Sequence, residues 1–236
     1  MKEDSALSLK KSYERGDNIT ISEAQKMLEQ SELLTKLLTT PERKTNTFVG
    51  LRNYLWRLLE ISEIPFSHTL EKVQTWIELL VEKSYIQEGF ALEGEQDHLL
   101  ACHNALITTI LIKMQYDDKA KIDSGINWII DYQSVERGIE SKWPGKDLYT
   151  RFGGCMKTVP CYYGVIKSMI ALTEYKKRFE SPKKLDVKLM QGLDYILKHD
   201  VYKKLSTGEP IEDSIIQNFF PYTYKSNVIE ILSLLK

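Results

Sequence analysis

The chain has 236 residues, of which 42% are hydrophobic and 28% are charged, and its 32 Lys and Arg nearly balance its 33 Asp and Glu. This composition excludes a disordered chain, and the charge balance argues against a nucleic-acid binder, which usually carries a basic excess. Three cysteines are too few for a disulfide framework, so we expect a cytoplasmic protein. The longest uncharged stretch, residues 98–112, is shorter than the roughly 20 residues of a membrane-spanning helix, so no membrane span is predicted.

The first predicted elements are helices with one apolar face. The apolar residues of the first helix run from Ala24 to Leu38, with Ser22 as its predicted N-cap. The next two helices follow at residues 48–59 and 70–81. We expect residues 1–18 to form a disordered N-terminal segment of a single domain that covers the whole chain.

From here on, two kinds of predicted helix alternate. Residues 99–114 and 159–175 are apolar nearly all round, which indicates helices buried on most sides. The helices that follow each of them, starting after the predicted N-cap Asp118 and covering residues 185–197, have one apolar face. A last helix follows Pro221. The alternation predicts a repeat of helix pairs with one outer and one inner layer.

This repeat makes specific predictions about burial. Leu106 and Ile110 should be buried, and Trp128 should lie between an outer and an inner helix. The inner helices start near Cys102, Cys161 and Tyr222, which are about 60 residues apart.

The same stretches resemble the prenyltransferase and squalene-cyclase-like repeat proteins of the terpenoid cyclase superfamily. The run from Cys102 to Ile107, then Tyr116-Asp117-Asp118, then the run from Gly125 to Gln133 resemble an inner helix, a GYxDDPRV-type turn and an outer helix that ends in WLLxxQ. The resemblance covers residues 69–236 and implies an all-α fold, arranged as an α/α toroid or partial toroid of about four helical hairpins. It also implies a protein that binds an isoprenoid or another apolar ligand in its concave cavity.

Two departures from this family concern acidic motifs. The chain has no DxDD run of the kind found in protonation-initiated cyclases. The segment from Asp117 to Lys121 lacks the third carboxylate of the magnesium-binding DDxxD motif. Cyclisation by either motif is therefore unsupported, and Asp117 and Asp118 are better explained as a turn and helix cap.

In such a toroid the inner helices run parallel, so their N-termini meet at one rim of the cavity. Cys102, His103, Cys155 and Cys161 would gather there, and thiolate and imidazole groups are ligands of zinc. The related prenyltransferases hold a catalytic zinc at such a rim, but their ligand spacing is not found here. Adjacent helical residues also diverge by about 100°, so packed thiols are the alternative interpretation.

Aromatic residues near the same helix starts are candidates for the wall of a substrate pocket. They are Trp143, Phe152, Tyr162, Tyr163, Tyr222 and Tyr224. Arg151, Lys157 and Lys167 would form a cationic lip, which together with the aromatic wall suits an isoprenyl diphosphate. The alternative is that these aromatic residues belong to the core. His199, near the end of an outer helix, is interpreted as a cationic cap that complements the helix dipole.

Two classes of function follow from these observations. The first is an enzyme of isoprenoid chemistry, a transferase or cyclase. The second is a non-catalytic α/α-repeat module for binding or interaction, which the lack of both acidic motifs favours. Homo-oligomerisation, or a partner chain that completes the toroid, is compatible with both.

Overall fold

The computed structural model describes residues 3–41, 47–145 and 157–236, and these are mostly helical. The described α-helices are α1 (Ser5–Glu14), α2 (Ile21–Glu29), α3 (Glu32–Leu37), α4 (Phe48–Ile61), α5 (Glu71–Ser84), α6 (Ala101–Lys113), α7 (Lys119–Tyr132), α8 (Tyr162–Arg178), α9 (Lys183–Lys198) and α10 (Val228–Leu235). A short antiparallel hairpin of β1 (Tyr85–Ile86) and β2 (Gly89–Phe90) follows α5, with Tyr85 paired to Phe90. The predicted all-α class is confirmed.

Helix α1 lies in the segment for which we expected disorder, so that expectation is wrong for residues 5–14. Asp4 caps the helix by accepting a hydrogen bond from the backbone N–H of Ala6. The same carboxylate accepts one from the Ser31 hydroxyl, which ties the segment to the start of α3. Ala6 and Leu9 are fully buried. Two buried residues are too few to produce a periodic pattern that is visible in the sequence.

The first predicted helix is in fact two helices, α2 and α3. Its N-cap is Thr20 rather than Ser22, because the Thr20 side chain forms a capping box with Glu23. The break comes at Ser31, whose hydroxyl accepts a hydrogen bond from the N–H of Leu34 and caps α3. A serine between two apolar segments thus ended one helix and started another.

Helices α6 and α8 form the centre of the protein and run parallel. Near their starts, Gly164 lies against Ala101, so that a Cβ at Gly164 would be 3.2 Å from the Ala101 Cβ. Near their ends, the Arg178 guanidinium donates to the Ile112 carbonyl over 2.7 Å. Every residue of α6 from Ala101 to Ile112 is buried. The all-round apolar pattern therefore predicted the burial of this helix correctly.

Two further helices lie beside this central pair, and α4 runs in the same direction as the pair. The ring of Trp56 in α4 lies 5.9 Å from the ring of His103 in the first turn of α6. Glu63, just after α4, pairs with Lys113 at the end of α6, so α4 and α6 are parallel. Helix α10 lies beside α8, where Glu230 pairs with Lys167. Helices α4, α6, α8 and α10 therefore lie side by side, and we refer to them as the inner layer.

Helices α5, α7 and α9 turn back against the inner layer as outer helices. Asn104 of α6 donates to the Gly125 carbonyl of α7 over 3.0 Å, and Gly192 of α9 lies against Met169 of α8. Leu106 and Ile110 are buried, as predicted, and so is Trp128, whose ring lies 5.6 Å from that of Trp143. Asp118 caps α7 by accepting from the N–H of Lys121, which confirms the predicted cap.

Gly125 and Gly192 allow the outer helices to approach the inner ones closely, and we expect alanine to be tolerated unequally at the two positions. A Cβ at Gly125 would overlap Thr108 Oγ1 and lie 3.2 Å from the Phe90 ring, and the Thr108 hydroxyl is fixed by its bond to the Asn104 carbonyl. The three atoms nearest to a Cβ at Gly192 all belong to the side chain of Met169, which is flexible. Gly125→Ala should therefore cost about 1–3 kcal/mol of unfolding free energy in urea titrations, and Gly192→Ala less. Equal costs would contradict this explanation.

Candidate functional site

The structure brings Cys102 and Cys161 to the same end of the inner layer. Cys102 lies in the first turn of α6, and Cys161 is the N-cap residue of α8. Burial, and then the neighbouring Cys161, raise the pKa of the Cys102 thiol to about 12, so it stays protonated. Cys155 lies outside the described residues. Within 3–41, 47–145 and 157–236, no three His, Cys, Asp or Glu side chains converge as metal ligands.

His103 points away from the two cysteines and belongs to the contact between α4 and α6. Its ring lies 5.9 Å from the ring of Trp56. Burial, and then the charge of Arg52, lower the pKa of His103 to about 3. The imidazole is therefore neutral, and the divergence from Cys102 is the one expected for adjacent helical residues.

The predicted pocket aromatics take part in packing contacts and hydrogen bonds within the protein. The Tyr162 hydroxyl donates to the Val201 carbonyl, and the Tyr163 hydroxyl donates to Glu212 over 3.2 Å. Trp143 packs against Tyr132, with ring centroids 4.9 Å apart. Tyr224 contacts the ring of Trp56 at 6.4 Å. Phe152 and Arg151 lie outside the described residues, and Lys157 is exposed.

His199 occupies the C-cap position of α9, but it is not the cationic cap that the sequence suggested. The ring is buried, 4.9 Å from that of Tyr162, and its Nδ1–H donates to the Lys203 carbonyl over 2.6 Å. Burial is the main reason that its pKa is lowered. A neutral imidazole therefore holds the turn after α9, and His199 shares a cluster with Tyr162.

Lys167, predicted at a cationic lip, is instead 1% exposed in the middle of the inner layer. Its Nζ lies 2.7 Å from both carboxylate oxygens of Glu230, and 5.7 Å from the centre of the Tyr222 ring. Burial lowers the pKa of Lys167, and Glu230 opposes that shift. The pair joins α8 to α10.

A cavity of about 500 Å³ opens beside this pair, on the inner side of α8. Helix α8 contributes Ile170, Thr173, Glu174 and Lys177, which follow the i, i+3, i+4, i+7 spacing of a single helix face. The remaining wall comes from α1, from the ends of α4 and α6, and from α10 with the loop before it: Lys10, Glu63, Lys113, Phe220, Tyr222, Glu230, Ser233 and Leu234. Tyr222 lines this cavity, but the cavity lies beside the C-terminal ends of α4 and α6, whereas the sequence placed the pocket beside the starts of the inner helices.

The charged groups of this cavity occur as pairs. Glu63 accepts a hydrogen bond from Lys113 and lies 3.7 Å from Lys10, and Glu174 pairs with Lys177 over 2.7 Å. Burial would raise the pKa of Glu63, but the two lysines outweigh it and lower that pKa. Lys10 is the most loosely held cation, because its nearest carboxylates lie at 3.7 and 3.9 Å.

The cavity can therefore offer two different surfaces to a ligand. Ile170, Leu234, Phe220 and Tyr222 form an apolar and aromatic part. Lys10 and Lys113, which share one carboxylate, form a cationic part. A second cavity, of about 410 Å³, also includes Lys10, Glu63, Lys113 and Glu174, so the cationic part lies where the two cavities adjoin.

None of the described helices is both long and apolar enough to cross a membrane.

Comparison with known proteins adds no relative to this picture. No family model, curated protein or solved structure matches the chain.

Proposed function

We propose that this chain binds an amphiphilic ligand, an isoprenoid or similar apolar chain with an anionic head, in the cavity beside α8. The observation that carries the proposal is the lining itself, which places aliphatic and aromatic side chains next to lysines that share a carboxylate. The volume lies in the range of about 300–1,000 Å³ that is usual for small-molecule pockets. The parallel inner helices and their outer partners support a partial α/α toroid around it.

The proposal is one of binding, and the charge pairing supports this choice. The lining carboxylates Glu63, Glu174 and Glu230 each contact a lysine, so they are not arranged as a free pair for magnesium. The apolar tail of the ligand would lie along Ile170 and Leu234. The anionic head would contact Lys10 and Lys113. Lys10 can turn towards the head at the lower cost, because its carboxylate partners are the more distant ones.

We expect farnesyl diphosphate to stabilise the protein in a thermal-shift titration, by about 2.7 kcal/mol at a hundred times its dissociation constant. Farnesol and inorganic diphosphate should each give a smaller shift, because each contacts one part of the lining. Lys10→Gln should weaken binding of farnesyl diphosphate about tenfold and leave farnesol binding unchanged. Lys204→Gln, in an exposed loop, is the matched control.

A second variant tests the position of the ligand. Thr173→Trp should fill the cavity and abolish the thermal shift, whereas Thr75→Trp on the exposed side of α5 should not. Both variants are first compared with the unchanged protein by circular dichroism and melting temperature. If Thr173→Trp is folded and binds normally, or if none of the three compounds stabilises the protein, the proposal is wrong.

A further inference from the structure

Helix α9 differs from the other outer helices on the side that faces solvent. The exposed residues of α5 are all polar or charged, and those of α7 are Lys119, Ala120, Asn127 and Asp131. Helix α9 instead exposes Val187, Met190 and Leu197, at 50%, 59% and 54%. Large apolar side chains in a row on an exposed helix face are typical of an interaction surface.

Charges bracket two of these apolar residues, Val187 and Met190, in a symmetric way. Lys183, Val187, Met190 and Asp194 follow one another at spacings of four, three and four residues, which places them within about 60° of each other on the helix. Lys183 and Asp194 are exposed, and neither forms an ion pair with any of the described residues. The stripe thus has a cation at one end, an anion at the other and two apolar residues midway.

A stripe of this kind is complementary to itself when reversed. We propose that a second copy of this chain docks here, with the two α9 helices antiparallel across a twofold axis. Lys183 of each copy then meets Asp194 of the other, and Val187 of each copy meets Met190 of the other. The same patch serves both subunits, as a twofold interface requires. This inference is independent of the cavity and of its ligand.

The expected dimer is weak. A single pair of helices buries less than the roughly 1,200 Å² of a standard interface, so association should become visible toward the upper end of a range from about 1 μM to 1 mM. Two exposed ion pairs flank the contact, so added salt should weaken the dimer.

Charge reversal provides the decisive experiment, read by sedimentation velocity on the full chain. Lys183→Glu and Asp194→Lys alone should each raise the dissociation constant at least about tenfold, since both symmetric pairs become repulsive. A mixture of the two variants should restore association as a heterodimer. The double variant K183E/D194K should associate with itself as a homodimer. Each reversal also suits the helix dipole, so folding is not at risk. Lys204→Glu is a control with the same change in charge as Lys183→Glu.

Three results would overturn the proposal. They are a wild-type protein that stays monomeric across the concentration range, a dimer that neither single reversal weakens, and a mixture of the two reversed variants that fails to associate. Weakening by Lys204→Glu to the same extent would equally count against it, because net charge rather than the stripe would then control association.

Discussion

Replacing Glu230 by leucine should destabilise the protein by about 3–5 kcal/mol, because the variant leaves the Lys167 ammonium buried without its carboxylate. Lys167 is 1% exposed and cannot reach water, whereas the Glu230 side chain is 15% exposed and lines the cavity. Lys167→Met should therefore cost less, since the remaining carboxylate can be hydrated from the cavity. The free energies of unfolding in urea, followed by circular dichroism, measure both costs.

The double variant K167M/E230L is the control for this pair. Removing both charges should recover most of the stability lost in the Glu230 variant, because two apolar side chains can replace a buried pair at little cost. Additive losses in the double variant would contradict the interpretation. So would a larger loss for Lys167→Met than for Glu230→Leu.

The second large effect is a loss of stability at acidic pH. Burial and Arg52 lower the pKa of His103 to about 3, whereas an unfolded histidine titrates near about 6.5. Below that value the unfolded chain takes up a proton that the folded protein does not, so stability falls as the pH is lowered towards the folded pKa. Between pH 7 and pH 5 this single residue should cost about 2 kcal/mol.

His103→Leu should remove that part of the pH dependence. The measurement is the difference in unfolding free energy between pH 7 and pH 5, compared for the variant and the unchanged protein. His68→Leu is the matched control: burial also lowers the pKa of His68, which is only half-buried, so its contribution should be smaller. An unchanged difference in the His103 variant would show that this histidine accepts its proton in the folded state.

The burial of the helices could be predicted from the sequence because it depends on local pattern. Uncharged residues all round α6, and one apolar face on α7, distinguish a helix buried on most sides from one with an exposed side without knowledge of their neighbours. The break at Ser31 and the helix α1 depend on one capping side chain and two buried residues. Signals of that size are not visible among the other serines and apolar residues of the chain.

The site was harder to predict, because its residues come from distant parts of the chain. The cavity brings Lys10, Glu63 and Lys113 together from three helices, and no spacing in the sequence indicates that contact. The pair of Lys167 and Glu230 did leave a signal. Each is the lone charge within a long apolar stretch of its helix, and a buried charge requires a partner of opposite sign.

The shallow burial of α10 has a consequence for motion. Of its eight residues Ile231 is buried, whereas Ile229 and Leu232 remain half-exposed. Segments with few buried apolar contacts open locally at a lower free energy than the core. Backbone amides of α10 should therefore exchange with deuterium before those of α6, and because α10 forms one wall of the cavity, the same opening is a route into it.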